Sequence, residues 1–431
     1  MTEQSDFKGL VRERMLRTGE RYTTARAHVV DAHRQAAADP ALALGGVHDQ
    51  TAALRDLLVA AGIDVPHTNA PPSEALLLGL GGGIGAAVFT FQYQGHLPHL
   101  YVETRCTPQF AYDMNFIERA ATGLGLSLEI ATGTTPNAAA NALDGALNGG
   151  KPALCLVDAL KLPHHAGRID GGSLPWVVVV HEQRDDMVIV TDRSQVTLTI
   201  PRTALDVARA SYKKGKNAVA TLRRGKGGDL KAGVRTGIAY CVAELTGREV
   251  KKGFAGNFGL RAIEKWIGEI SRSGKDGWRQ RFAPGKPLAA GLCQAYGWIE
   301  TSGTGGSGFR RMYAEFLREC ATITGNQKFV SVAARYDAVA EQWTSLFTSL
   351  LPEGTPLGEM RRVLHERSAG IRRGESGEQL RERDRAFDAL VAACDPFPVD
   401  AEATYVGLAE GLSRLLEGER AAAAALREAA S

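Results

Sequence analysis

An α+β domain followed by a helical domain is the architecture that this 431-residue chain predicts. Three observations carry it. Between residues 46 and 224 a helix-patterned segment precedes four short runs rich in β-branched residues. The glycine- and lysine-rich stretch 225–233 (GKGGDLKAG) reads as a linker. Beyond it, residues 234–431 carry helical spacing almost throughout. A helix followed by an antiparallel meander, then helices alone, is the order of an α+β chain and not of repeated βαβ units.

Residues 1–45 read as a helical hairpin. Leu10, Val11 and Met15 mark one apolar face, and Thr23-Thr24 cap a second helix over Ala25–Ala38; a packing arm or dimerisation element is the expectation. Leu54, Leu57, Leu58 and Ala61 space out a helix that starts at Asp49 and stops at Gly62. The run Leu76–Leu80 reads as a strand leading into Gly81-Gly82-Gly83-Ile84-Gly85. Ala86–Gly95 is short and aromatic, and His96-Leu97-Pro98 breaks any helix there. Ala153–Val157, Trp176–Val180, Met187–Val190 and Val196–Ile200 are the expected buried strands, with Arg184-Asp185-Asp186 as a hairpin turn. In the second domain Phe329, Val332, Tyr336, Val339, Trp343, Leu346 and Leu350 form one apolar stripe, read as core, and the last 20 residues form a terminal helix.

Apolar residues make up 44% and charged residues 23%, the composition of an ordinary globular protein that needs no metal or disulfide to fold. A net charge of +3 is too small to imply a nucleic-acid partner, so none is expected, and the basic run Lys213–Lys216 with Arg223–Lys226 reads as a solvated strand end and linker rather than a docking patch for an acidic partner. The six cysteines show no CxxC pairing, so neither a disulfide framework nor a zinc site is expected. The polar N-terminus and the lack of any stretch near the ~20 apolar residues of a membrane span predict a cytoplasmic protein without membrane contact. Gly81–Ala86 fits the relaxed dinucleotide fingerprint G-x-G-x-x-A, with Glu103 at the ribose distance, but a helix precedes the strand and no second βαβ unit follows. No cofactor is expected. The glycines instead mark close approach of backbone to a ligand or a facing helix.

His48-Asp49-Gln50 opening a helix, Pro72–Gly83 (PSEALLLGLGGG), Lys151-Pro152 leading to Val157-Asp158, Leu162-Pro163, the strand Val177–Val180 and the following Asp192 together resemble the N-terminal domain of butirosin-type acyltransferases. Gly303–Tyr313 (GTGGSGFRRMY), followed by Phe316-Leu317 and supported by Asn257–Leu260 and Trp266, is similar to the helical domain of unknown function that accompanies it. The resemblance covers about residues 46–350. It implies a papain-like fold that carries an acyl group from a carrier protein to an amine in antibiotic biosynthesis. Such a fold places a cysteine at the N-terminus of its first helix, a histidine on a central strand and an acidic or amide residue to orient it. Here Asp49 follows His48 where the resemblance implies cysteine, Pro175 stands where it implies histidine, and Asp192 remains.

The candidate catalytic residues are therefore Asp49, His48 and Asp192. Asp49 is also a good helix N-cap, and its charge suits the positive helix end by ~0.3–1 kcal/mol. His164 and His165 lie in a loop with Arg168 and Asp170, from which an imidazole can replace the missing one, although exposed loop histidines are commoner. His181 reads as a structural histidine. Gly81, Gly82, Gly83, Arg310, Arg311 and Tyr313 are the expected substrate-binding set, because arginines after a glycine-rich helix start make an anion site. No spacing marks a metal site. Two functions remain open. The first is a specialised-metabolite enzyme acting on an amine- or carbonyl-bearing intermediate by carboxylate acid/base chemistry, in amide formation, cyclisation or isomerisation. The alternative is a catalytically dead acyltransferase homologue that binds an intermediate or carrier protein. A small-molecule intermediate is the expected partner, with an acyl carrier protein and a second copy of the chain kept open.

Overall fold

A computed structural model describes residues 44–105, 112–165, 173–223, 228–247, 252–272, 274 and 277–430. Residues 1–43 of the expected arm, Cys106, and Arg168 and Asp170 lie outside the described residues. Two compact units interleave along the chain. One takes the described part of Met1–Ala61 with Glu129–Leu222 and Gly370–Glu382; the other takes Gly62–Leu128, Arg223–Ala369 and Arg383–Ser431. The division differs from the linear boundary expected at residues 225–233, because Gly62–Leu128 groups with the helical unit and Gly370–Glu382 with the sheet.

The first unit is built on a six-stranded sheet, with strands numbered in chain order. These are β3 (Ser127–Ala131), β4 (Ala153–Asp158), β5 (Pro175–Arg184), β6 (Met187–Thr191), β7 (Leu198–Pro201) and β8 (Val219–Arg223); their spatial order is β3-β8-β4-β5-β6-β7. β4 through β7 form the expected antiparallel meander, and β8 pairs antiparallel with β4. Asp185, with φ 53°, turns the β5–β6 hairpin. Alternation sends Cys155, Val157, Val178, Val180 and Val190 to one face, where they pack with Leu143 of α4 (Pro136–Asn148) and Leu205 and Ala208 of α5 (Arg202–Ser211). Leu154, Leu156, Val177 and Val179 of the other face are 0–2% exposed, and α1 (Asp49–Ala60) packs against β4 and β5. Burial on both faces is why these strands read as unbroken apolar runs. The register shifts between Val180 and Glu182, and His181 Nε2 meets Thr191 Oγ1 at 2.9 Å there. Its imidazole is pushed down to about 4 by burial, as befits a structural histidine.

The second unit opens with α2 (Glu74–Leu80), where a strand is expected. Ser73 accepts a hydrogen bond from Leu76 N at 2.9 Å, Glu74 sits in the first turn, and unbranched leucines favour helix. The aromatic segment after the glycines is an antiparallel ribbon of β1 (Ala87–Phe91) and β2 (His99–Glu103), with Phe89 stacked 6.1 Å from Phe91. The helices α3 (Asn115–Gly123), α6 (Leu230–Thr246), α7 (Leu260–Ser271), α8 (Trp278–Arg281), α9 (Lys286–Tyr296), α10 (Arg310–Thr324) and α11 (Lys328–Ser349) follow. The last three are α12 (Pro356–Arg372), α13 (Gly377–Ala392) and α14 (Ala401–Ala430); α12 and α13 carry the segment shared with the first unit. The predicted stripe of α11 buries Phe329, Val332, Tyr336, Val339 and Trp343 among α10 and α14. Among the described residues, no helix is long and apolar enough to cross a membrane.

Candidate functional site

In the first unit two loops meet beside the N-terminus of α1. Gly46 N donates to Arg193 O at 2.8 Å, and Arg193 Nη1 donates to Val47 O at 3.2 Å. Gly45, at φ 64°, leaves no room for a side chain, since a Cβ there would lie 2.5 Å from Gln195 Cγ. The helix start is thereby tied to the stretch that follows β6.

The N-cap of α1 is His48, not Asp49. Its Nδ1 accepts from Thr51 N at 3.4 Å, and Asp49 is the first helical residue. With Nδ1 turned to an N–H, the ring proton belongs on Nε2, which lies 3.1 Å from Asp49 Oδ1. His48 is 5% and Asp49 7% exposed. An imidazole therefore does reach the carboxylate, which stands in the field of the helix N-terminus.

Asp192, 1% exposed, directly follows β6. Its Oδ1 accepts from Ser194 N at 2.7 Å, and its Oδ2 receives two rings, His164 Nε2 at 3.3 Å and His165 Nε2 at 3.1 Å. The His165 ring sits edge-on to Trp176, 4.8 Å between centroids, and the Arg193 guanidinium covers that indole at 4.9 Å. Burial drives the His165 imidazole down to about 4 against the hydrogen bond to Asp192. Burial also acts to raise Asp192, but the two histidine hydrogen bonds outweigh it and hold the carboxyl well below its ordinary range. Pro175 begins β5 opposite Asp158, whose Oδ1 accepts from Leu160 N at 3.1 Å and Leu174 N at 2.9 Å. A proline is tolerated at a strand's first residue. The histidine loop is in contact with Gly377, where a Cβ would lie 3.1 Å from Pro163 O and 3.3 Å from His165 O.

The expected substrate-binding residues all fall in the second unit, where Gly81, Gly83, Arg310 and Tyr313 face interior partners and Arg311 a surface one. Gly81 ends α2 and faces Phe116, whose ring would lie 2.1 Å from an added Cβ; Gly83, at φ 71°, faces Tyr313 and Cys241, whose side chains would lie 2.6 and 3.1 Å from one there. The glycines thus admit side chains of facing helices, and they end a helix where a nucleotide fingerprint would open one. Gly81, Gly82 and Gly83 also line an indentation with Arg105, Phe116, Arg119 and Glu244. Arg310 is 0% exposed, and its guanidinium goes to Glu419 Oε1 at 2.7 Å, Gly308 O at 2.7 Å, Gly85 O at 3.0 Å and Thr104 O at 3.2 Å. That replaces the anion-site expectation with an interior tie. Arg311 pairs with Glu341 at 2.7 Å on the surface, and Tyr313 is fully buried against Phe316 and Tyr336.

The described cysteines, Cys155, Cys241, Cys293, Cys320 and Cys394, are all buried, and burial raises each thiol, Cys241 to about 12. None presents a thiolate. The convergence of both loop histidines on Asp192 is the feature that sequence spacing does not disclose. The His164-His165 doublet was its one visible sign.

No curated protein matches this chain. Residues 203–357 match the family model described as a domain of unknown function (DUF4872), and residues 48–193 match that of butirosin biosynthesis protein H, N-terminal. The second match begins at His48 and ends at Arg193, the two loops that meet at the start of α1, and it marks this chain as similar to an antibiotic-biosynthesis, acyltransferase-like family.

Proposed function

We propose that the protein is a specialised-metabolite enzyme with a papain-like first domain in which Asp49 takes the place of a cysteine nucleophile and Pro175 that of a strand histidine. It acts on an amine- or carbonyl-bearing intermediate held without a covalent link, and an acyl carrier protein delivers the acyl partner where one is used. Asp49 acts as the general base, taking a proton from an amine as it attacks a carbonyl and returning it to the leaving group. His48 orients that carboxylate through its Nε2–H, while backbone N–H groups of the first turn face developing negative charge. The supporting observation is the buried His48–Asp49 contact of 3.1 Å at the N-terminus of α1.

Asp49→Asn keeps the shape and removes the ionisable group. Turnover of amines with acyl thioesters should fall by ~10²–10⁴-fold, with the thermal midpoint nearly unchanged because Asp49 does not cap the helix. Full turnover in the variant would overturn the carboxylate mechanism and favour a protein that binds an intermediate without converting it.

A further inference from the structure

The His164, His165 and Asp192 side chains make an arrangement that the acid/base reading of Asp49 does not use. Both Nε2 atoms converge on one oxygen, Asp192 Oδ2, at 3.3 and 3.1 Å, while Oδ1 is taken by the Ser194 N–H. One ligand atom from each of the three residues lies within 4.8 Å of the others, the only such His/Cys/Asp/Glu group among the described residues. We propose that these residues form a binding site for one divalent transition-metal ion of the zinc class.

The two distances from Asp192 Oδ2 to the ring nitrogens, 3.3 and 3.1 Å, suit such an ion. Donors each about 2.0–2.1 Å from a tetrahedral centre lie about 3.3 Å from one another. Two imidazoles and one carboxylate form a mixed nitrogen and oxygen set, which favours zinc, cobalt or ferrous iron over magnesium or calcium. The outer contacts fix two of the three ligands: Ser194 N holds Asp192, and the Trp176 ring holds His165 edge-on. The His164 side chain is 12% exposed, whereas those of His165 and Asp192 are 3% and 1%, so the ion enters from the His164 side. Three protein ligands leave a position for water or a substrate oxygen, the pattern of an open metal site. Arg193, next in sequence to Asp192, bonds to Val47 beside His48, so an ion here borders the start of α1.

The test uses tag-free, full-length protein treated with chelator and then titrated with Co(II) or Zn(II) alone. One equivalent of Co(II) should bind with a visible ligand-field band. Zn(II) should displace it and raise the thermal midpoint. His164→Gln and Asp192→Asn should abolish the band and the shift, while His96→Gln and Asp49→Asn should retain both. The Asp49 control separates this proposal from the acid/base reading, since either can fail alone. Wild-type protein without saturable binding would overturn the proposal. So would undiminished binding in His164→Gln, whose ring is the most exposed of the three and whose loss the fold should tolerate.

Discussion

Glu244 lies on α6 near Arg119 and Arg105, and burial pushes its carboxyl up to about 8 against the pull of those two guanidiniums. Its ordinary value is 4.5, so the folded chain holds this proton more tightly than the unfolded one. That contribution to stability is complete below the unfolded value and is lost as pH rises through the folded one. Glu244→Gln, which mimics the protonated side chain, should match wild type near about pH 4.5 and gain on it in thermal midpoint up to about pH 8. Parallel profiles would place Glu244 in contact with water. At the same scale, His48 and Asp49 stand out in the sequence as neighbours at a helix start. Which of them caps the helix depends on side-chain rotamers, which residue order does not encode.

At the scale of elements, α2 shows local chemistry deciding a segment whose apolar run reads as a strand. Ser73 holds Leu76 N and also donates to Glu319 of α10. Ser73→Ala should therefore cost about 1 kcal/mol in chemical denaturation, with the rest of the fold retained. An unchanged denaturation midpoint would assign α2 to packing alone. The strands β4 to β7 were legible because both faces are buried and the residues are β-branched. The β1–β2 ribbon was not, since its aromatic residues suit more than one conformation and its pairing closes over a loop that contains a proline.

Across the helical unit, Arg310 of α10 gathers Glu419 of α14 with the carbonyls of Gly85 and Thr104, and Trp343 Nε1 donates to the same Glu419 oxygen at 2.8 Å. Removing one partner of a buried pair leaves the other charge uncompensated. Arg310→Met or Glu419→Leu should each lower unfolding free energy by about 3–5 kcal/mol, and the double variant should lose less than the sum. A stable Arg310→Met protein with weakened ligand binding would restore the anion-site reading.

Strand runs, helical stripes, the absence of a thiol after His48 and the resemblance of about residues 46–350 were available from residue order alone, because they rest on periodicity and on residue type at single positions. Tertiary structure decided the rest. It grouped Gly62–Leu128 with helices that follow it by more than a hundred residues, and it turned the glycines and Arg310 inward. It also brought His164 and His165 to Asp192, which follows them by 28 and 27 residues along the chain. The physical reason is the same in each case. A side chain's role is set by what packs around it, and those neighbours come from parts of the chain that local pattern does not connect.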